Sequence, residues 1–268
     1  TDVKKNFNKY LPVLDIKSKN ENFGTLKSII ESYRLAKLNL ITGIVTLPIN
    51  KEKIIKINRK FIGHTEYYEK LDKKISNMIM FSKNIIIVPL TTHISIKNVN
   101  KKLNKDYLKK KINSLIKTLI LDLNINKPKI AITGLNPHSG ENGKIGLEEK
   151  KIIEPVIKFY KRKKIYLSGP YSADSIFLNK NLKKFDCIIT MYHDQGLIPF
   201  KILNFFEGVN YTGGLNIIRS SPCHGTAYDL VGKKGTKYNS LLNSILLINK
   251  VYKNRKNAKK ISRSKFFN

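Results

Sequence analysis

The sequence predicts a three-layer α/β/α fold around a mostly parallel sheet, and three observations support this prediction. Short apolar, β-branched runs alternate along the chain with segments of helical periodicity. Several of these runs end directly in polar residues, as in open α/β sheets that bind ligands beyond the carboxyl ends of their strands. The 268 residues are enough to bury a large core, either as one large domain or as two lobes.

The first part of the chain is the less regular part of the predicted fold. Residues 1–24 are polar and predict irregular or extended chain. Thr25 is the predicted N-cap of a helix whose apolar positions recur at helical spacing, at Leu26, Ile29, Ile30 and Tyr33. Residues 40–46 predict a buried strand, residues 54–61 a short helical or mixed segment, and residues 67–80 a helix.

From residue 84 onward the predicted strands and helices alternate regularly. The predicted strands are residues 84–90, 129–135, 164–167 and 186–190. The predicted helices are residues 106–123, 147–160 and 240–252, followed by a basic tail that is expected to fray. The first of these helices is amphipathic, with one apolar face made of Leu108, Ile112, Leu115, Ile116 and Leu119.

The composition narrows the range of partners and compartments. Two cysteines do not form a disulfide framework, which favours a reducing cytoplasm. No apolar run approaches the roughly 20 residues that span a bilayer, and residues 1–24 do not resemble a signal peptide. We therefore expect a cytoplasmic protein without a membrane partner.

The net charge of +32 suggests binding to nucleic acid, but its distribution does not support a specific site. Only six of the 51 basic residues are arginine, the residue that is favoured for bidentate recognition of phosphates and bases. The lysines are spread over every predicted helix, and lysine, asparagine and isoleucine are all abundant. We expect only weak, salt-sensitive attraction to polyanions and no specific nucleic acid.

Three of the five histidines follow the ends of predicted strands, at His93, His138 and His193. If these strands are parallel neighbours, the imidazoles meet at one edge of the sheet. Three histidines with an open position form a catalytic site for Zn²⁺, Co²⁺ or another divalent ion. The spacing alone does not distinguish this site from three unrelated loop histidines. Their recurrence at the same structural position favours the metal site.

Other charged residues lie close to these strand ends in sequence. Lys201 and Arg219, with Thr65 and backbone N–H groups, are candidates for binding a phosphate or a carboxylate. Asp174 and Asp194 are candidates for proton transfer or for orienting a histidine. For each of these residues the alternative is a loop charge in solvent.

Six short motifs occur along the chain from about residue 25 to the final helix. They are GHTE at 63–66, TTH at 91–93, GLNPHSGENGKIGLEE at 134–149, GPYSAD at 169–174, MYHDQGL at 191–197 and HGTA at 224–227. Their order and spacing resemble those of the 4-hydroxythreonine-4-phosphate dehydrogenase family of vitamin B6 synthesis. The combination of NPH-x-GE with YHDQG is highly specific.

The resemblance implies an isocitrate/isopropylmalate dehydrogenase-like fold with two lobes around a cleft. We expect residues 1–61 plus 216–268 to form the first lobe, and residues 62–215 to form the second lobe, with the metal site and the dimer interface. The implied assembly is a homodimer whose active site lies at the subunit interface.

The resemblance also implies a role for individual residues. It implies that His93, His138 and His193 bind a divalent metal (Zn, Co or Mg). It assigns the substrate to His64, Thr65, Lys201, Asn210 and Arg219. Lys51 matches the lysine of the family's TxPxxK segment, and the catalytic candidates are Asp174, Lys201 and Asp194. The cofactor is NAD or NADP, but no GxGxxG follows the first predicted strand, so the cofactor-binding residues stay unknown.

The implied reaction is the oxidation of 4-phosphohydroxy-L-threonine by NAD(P)⁺, followed by decarboxylation to 3-amino-2-oxopropyl phosphate. Two alternatives stay open: a dehydrogenase of another phosphorylated hydroxy acid such as threonate 4-phosphate, or a non-catalytic polyanion-binding remnant. Two departures from the family are visible. The printed sequence lacks the family's opening strand and its GDPxGIGPE-type loop, so we expect an open sheet edge. Cys223 stands where the family usually has Asp before HGTA.

Overall fold

Apolar and β-branched residues form the strands of a single sheet at the centre of the protein. The computed structural model describes the backbone of residues 9–264 and the side chains of residues 9–258. In this part of the chain eight strands are present: β1 Ile44–Val45, β2 Asn77–Phe81, β3 Ile86–Thr91, β4 Ile130–Thr133, β5 Leu167–Tyr171, β6 Cys187–Tyr192, β7 Val209–Gly213 and β8 Arg219–Pro222. They form one sheet in the order β1-β8-β7-β2-β3-β6-β4-β5.

The helices cover both faces of this sheet. They are α1 Glu21–Lys37, α2 Lys51–Ile57, α3 His64–Asp72, α4 Ile96–Lys102, α5 Lys105–Leu121, α6 Glu154–Arg162, α7 Ala173–Ile176, α8 Asn179–Leu182, α9 His193–Asn204 and α10 Asn239–Ser264. A π-helical segment, Glu149–Ile153, leads directly into α6. Asparagine side chains cap α1, α2 and α5 by accepting a backbone N–H of the first turn, from Asn20, Asn50 and Asn104. In the described part of the chain no helix is long and apolar enough to cross a membrane.

The sheet is mixed, so the prediction of a mostly parallel sheet is wrong for one half of it. Strands β3, β6, β4 and β5 are parallel neighbours, and β1 is parallel to β8. Strands β8, β7, β2 and β3 pair antiparallel in that order. The links β2–β3 and β7–β8 are only a few residues long, and such short connections join antiparallel strands.

Several predicted boundaries in the first third of the chain are wrong. The predicted helix over residues 67–80 is α3 followed by β2, because Lys73 in the left-handed conformation ends the helix and an apolar strand begins at Asn77. Thr25 lies inside α1 and does not cap it. Only Ile44–Val45 of the predicted strand over residues 40–46 is a strand. Of the predicted irregular start, residues 21–24 are helical and residues 1–8 lie outside the described chain.

In the second half of the chain the predicted elements agree better with the structure, and three corrections are needed. No helix was predicted for the segment after β6, which begins α9 at His193. The predicted strand over residues 164–167 is displaced to β5. The last helix continues to Ser264, so the tail is not frayed where it is described. Strands β7 and β8 and helix α4 had no counterpart in the sequence prediction.

The core confirms the three-layer arrangement. On one face the predicted apolar face of α5 buries Leu108, Ile112, Leu115 and Leu119 against the sheet. On the other face α9 buries Leu197 and Phe200 against β3 and β6. A third cluster near β1 includes Phe61 and Tyr68. The predicted lobe boundaries stay a prediction, and strands from both predicted lobes belong to one sheet.

Candidate active site

Three histidines follow three neighbouring parallel strands. His93 comes two residues after β3, His138 five residues after β4, and His193 directly after β6. These strands lie side by side in the order β3-β6-β4 and are parallel. The sequence analysis expected the histidines at one edge of the sheet if their strands are parallel neighbours, and these three strands are.

His93 and His193 come together at this edge, with ring centroids 5.6 Å apart. Each ring is held at Nδ1 by a carboxylate. His93 Nδ1 donates to Glu66 Oε1, and His193 Nδ1 donates to Asp194 Oδ1, both at 2.6 Å. This arrangement leaves both Nε2 atoms available. Metal-binding histidines commonly donate their other ring N–H to a carboxylate in this way. The donor set of this pair therefore suits a divalent ion.

Glu66 is more than a surface acid. Burial raises the pKa of its carboxyl, but hydrogen bonds from His93 and Thr92 outweigh burial and lower the pKa to about 2. Its other oxygen, Oε2, is buried and has no hydrogen-bond partner among the described side chains. An ionised Glu66 is therefore a firm acceptor for His93.

His138 is not part of the pair. It is exposed and lies on a left-handed turn after β4, close enough to Asp174 to affect its ionisation. The Ser172 hydroxyl, which donates to Asp174 Oδ1 at 2.5 Å, lowers the pKa of Asp174, and His138 lowers it by a smaller amount. Within residues 9–258 no three His, Cys, Asp or Glu side chains are arranged to hold a metal ion. The three-histidine assignment stays a prediction.

Arg219 forms a second centre inside the sheet. Its guanidinium is 2% exposed and donates to the hydroxyls of Thr46, Thr65 and Thr212, which come from three other elements. No acid forms an ion pair with it among the described residues. Burial lowers its pKa to about 10, so it is still a cation at neutral pH. A buried, unpaired cation is a site for an anion.

Other predicted substrate residues surround this cation. Burial, together with the positive charges of Arg219 and Lys51, lowers the pKa of His64 to about 3. His64 is therefore neutral at physiological pH, beside two cations. Asn210 lies on the same face of β7 as Thr212, and its Oδ1 is buried without a partner. The structure thus brings His64 and Thr65 close to the buried cation of Arg219.

Lys201 lies near Cys223, the position that departs from the family pattern. It is exposed on α9, and its charge reaches Cys223. Burial raises the pKa of the Cys223 thiol to about 12, with a smaller opposing effect from Lys201, so this position carries no negative charge. His224 is exposed and makes only a contact with the carbonyl of Gly225.

Several residues of the site were missed by sequence reasoning. Glu66 lies within the GHTE motif and Gln195 within YHDQG, so the motifs themselves marked them. Gln195 joins the ends of β4 and β6, because it accepts from Thr133 and from Met191 N and donates to Gly134 O. No motif or sequence pattern indicated Thr46 and Thr212, which contact Arg219 only in the folded chain.

Comparisons with known proteins identify the family of the chain. Residues 6–248 match the family model described as pyridoxal phosphate biosynthetic protein PdxA. A 4-hydroxythreonine-4-phosphate dehydrogenase of Bacteroides thetaiotaomicron is 41% identical over 238 residues, which are 88% of this chain and 65% of that protein. A D-threonate 4-phosphate dehydrogenase of Pectobacterium atrosepticum is 35% identical over 222 residues, 82% of this chain and 68% of that protein.

Solved structures show the same similarity. The crystal structure of 4-hydroxythreonine-4-phosphate dehydrogenase from Klebsiella pneumoniae matches with a TM-score of 0.74 and 32% identity, over 86% of this chain and 71% of that one. The fold is therefore the isocitrate/isopropylmalate dehydrogenase-like α/β fold that was expected. The chain spans somewhat less than two thirds of the Bacteroides relative. By the family match and these identities, the chain belongs to the PdxA family of pyridoxal phosphate biosynthetic proteins.

Proposed function

We propose that the protein oxidises 4-phosphohydroxy-L-threonine with NAD⁺ or NADP⁺ to 2-amino-3-oxo-4-phosphooxybutanoate. Hydride passes from C3 to the nicotinamide, the hydroxyl proton passes to a base, and the β-keto acid then loses CO₂ to give 3-amino-2-oxopropyl phosphate. The observation that carries the proposal is the buried Arg219, which has no ion-pair partner among the described residues, in a chain that also brings His93 and His193 together. An anionic substrate with a reactive hydroxyl suits both centres.

The cationic centre binds the anionic part of the substrate. Arg219 on β8 and Thr65 at the start of α3 supply donors, and neutral His64 accepts or donates without adding charge. The unpartnered Oδ1 of Asn210 is available to a substrate hydroxyl or amine. Lys201, exposed on α9, adds a cation from the helix that begins at His193.

The histidines form the metal end of the site. His93 and His193, with His138, would hold Zn²⁺, Co²⁺ or Mg²⁺, and the ion would supply a Lewis acid to the reacting hydroxyl. Glu66 and Asp194 orient the two paired rings through Nδ1. Asp174, which Ser172 and His138 keep ionised, and Lys201 are the candidates that hold or move the hydroxyl proton.

The active unit is a homodimer. The support for this assembly is the family resemblance, which implies an active site at the subunit interface; the described residues of one chain bring His93 and His193 together without His138. The helix α9, which begins at His193, carries an apolar surface. Ile198 and Ile202 on this helix and Phe205 directly after it are more than half exposed. Light scattering of the protein at micromolar concentration should give twice the monomer mass, and a monomer would contradict this assembly.

A second substrate is supported by the similarity to the D-threonate 4-phosphate dehydrogenase of Pectobacterium. The deciding experiment measures turnover of the protein with 4-phosphohydroxy-L-threonine and with D-threonate 4-phosphate, each with NAD⁺ and with NADP⁺. Metal content is measured on the same sample, with and without a chelator. Turnover of threonate alone would replace the proposed substrate, and turnover of neither would contradict the proposal.

We propose that the net charge of +32 is incidental to this activity. A polyanion-binding remnant is the competing function, but the histidine pair and the Arg219 cluster are both intact. DNA binding measured against salt distinguishes the two. We expect weak binding that is indifferent to sequence and lost at moderate salt, whereas a tight, selective complex at physiological salt would favour the remnant.

A further inference from the structure

The turn that carries His138 has an unusual backbone. All six residues from 138 to 143 have positive φ, between 41° and 91°, and four of them are not glycine. This left-handed conformation is disfavoured for L-residues and persists only where surrounding contacts determine it. A specific anchor is therefore needed to keep His138 at the end of β4.

Glu149 is that anchor. Its Oε1 accepts the backbone N–H groups of Leu135 and Asn136, both at 2.8 Å, and its Oε2 accepts Asn136 Nδ2 at 3.0 Å. The side chain is 2% exposed, and no cation forms an ion pair with it among the described residues. A buried carboxylate without a counter-ion is stabilised by such N–H donors alone, so its position and that of the loop depend on each other.

The packing around Glu149 leaves no space for a side chain at two glycines of this loop. A methyl group at Gly140 would lie 2.5 Å from Glu149 Oε2, and one at Gly134 would lie 3.0 Å from Oε1. Both ends of the loop around His138 therefore touch the same carboxylate. Glu149 also begins the π-helical segment before α6, an irregularity that is frequent at functional sites.

We propose that Glu149 is the positioning residue for His138, fixing the left-handed turn so that the imidazole is placed to bind the divalent ion. This inference rests on the proposed metal site and assigns a role to a residue that does not touch the metal or the substrate. Without the carboxylate, Leu135 N and Asn136 N lose their acceptor and the turn relaxes toward right-handed conformations. His138 then contributes less to metal binding although the residue itself is unchanged.

The neighbouring Glu148 provides a matched control. It has the same side chain, but its oxygens accept from the side chains of Asn136 and Asn100, at 2.8 and 3.0 Å, and not from the backbone of Leu135 or Asn136. Glu149→Ala and Glu148→Ala of the full chain are compared by amide hydrogen exchange and by titration with Co²⁺, whose visible absorption reports the ligand geometry. Glu149→Gln is included because its single carbonyl oxygen still accepts both backbone N–H groups.

In Glu149→Ala we expect faster exchange at Leu135 and Asn136, an altered Co²⁺ spectrum and about tenfold or more weaker Co²⁺ binding. Glu149→Gln should recover part of all three, and Glu148→Ala should match the parent. The inference is overturned if both Glu149 variants keep the parent's exchange and spectrum, if Glu148→Ala has the same effect, or if the parent binds no Co²⁺. Because none of these measurements uses turnover, a parent that binds Co²⁺ but oxidises neither substrate would contradict only the proposed function.

Discussion

The two centres of the candidate site are built in different ways. Arg219 is enclosed by the sheet, and its three hydroxyl acceptors come from the segment after β1, from α3 and from β7. His93 and His193 lie at strand ends, partly exposed, and each depends on one carboxylate. The hydroxyls around Arg219 all come from one chain, whereas only two of the three predicted metal-binding histidines come together within the described residues. Packing between distant segments therefore holds the buried cation, whereas single carboxylates hold the histidines.

The largest expected effect is at the histidine centre. His193→Ala should lower kcat by roughly a thousand-fold, because it removes a metal ligand and with it the Lewis acid, which supplies several kcal/mol of transition-state stabilisation. Steady-state kinetics and metal analysis measure both consequences. His224→Ala is the control, since His224 contacts only a carbonyl oxygen. Unchanged metal content in His193→Ala would contradict the metal assignment.

At the cationic centre, Arg219→Met should raise KM by roughly 100-fold with a smaller change in kcat, because a charged hydrogen bond is worth about 1.5–3 kcal/mol. Arg255 provides the comparison, because it is paired with Asp122 at 2.6 Å. Arg255→Met should reduce the unfolding free energy by about 3–5 kcal/mol, since it leaves a buried carboxylate unpaired, and should leave KM unchanged. If both variants raised KM equally, the role of Arg219 would be structural, like that of Arg255, and not substrate binding.

A pH experiment tests whether His64 is buried and neutral beside Arg219. The pKa of His64 is about 3 in the folded chain, against 6.5 as the ordinary value, so between these pH values only the unfolded chain takes up the proton. Stability therefore falls as pH decreases below 6.5, by about 2 kcal/mol at pH 5 from this group. Urea unfolding at pH 5 and pH 8 with a chelator measures this, and His64→Gln should remove that part of the difference. The same pH dependence in His64→Gln would contradict the assignment.

The smallest expected effects compare the two carboxylates that hold the histidines. Glu66→Gln should weaken metal binding by about tenfold, as is usual for a carboxylate behind a ligating histidine. Asp194→Asn should cost less, because the Asp194 side chain is 67% exposed and that of Glu66 only 25%. Calorimetric titration with Zn²⁺ measures both variants. A larger loss for Asp194→Asn would mean that Asp194 has a role beyond orientation.

Local pattern in the sequence determined much of this protein. The apolar face of α5 and the position of each histidine after a strand were both predicted, because periodicity and a change from apolar to polar residues are local properties. The same local signals failed where an apolar run fits either element. Residues 77–80 were assigned to a helix but lie in β2, which pairs with β7 and β3, and no helix was predicted over the polar start of α9.

Only the tertiary structure decided how the candidate site is assembled. Arg219 meets Thr46 and Thr65 across 173 and 154 residues of sequence, and no periodicity connects positions so far apart. The left-handed turn that carries His138 follows backbone N–H groups held by a buried Glu149, which the sequence showed only as part of a motif. Sequence determines which residues end a strand, because that depends on neighbours along the chain. Which of them meet depends on strand order and loop conformation, and these are set by contacts between distant segments.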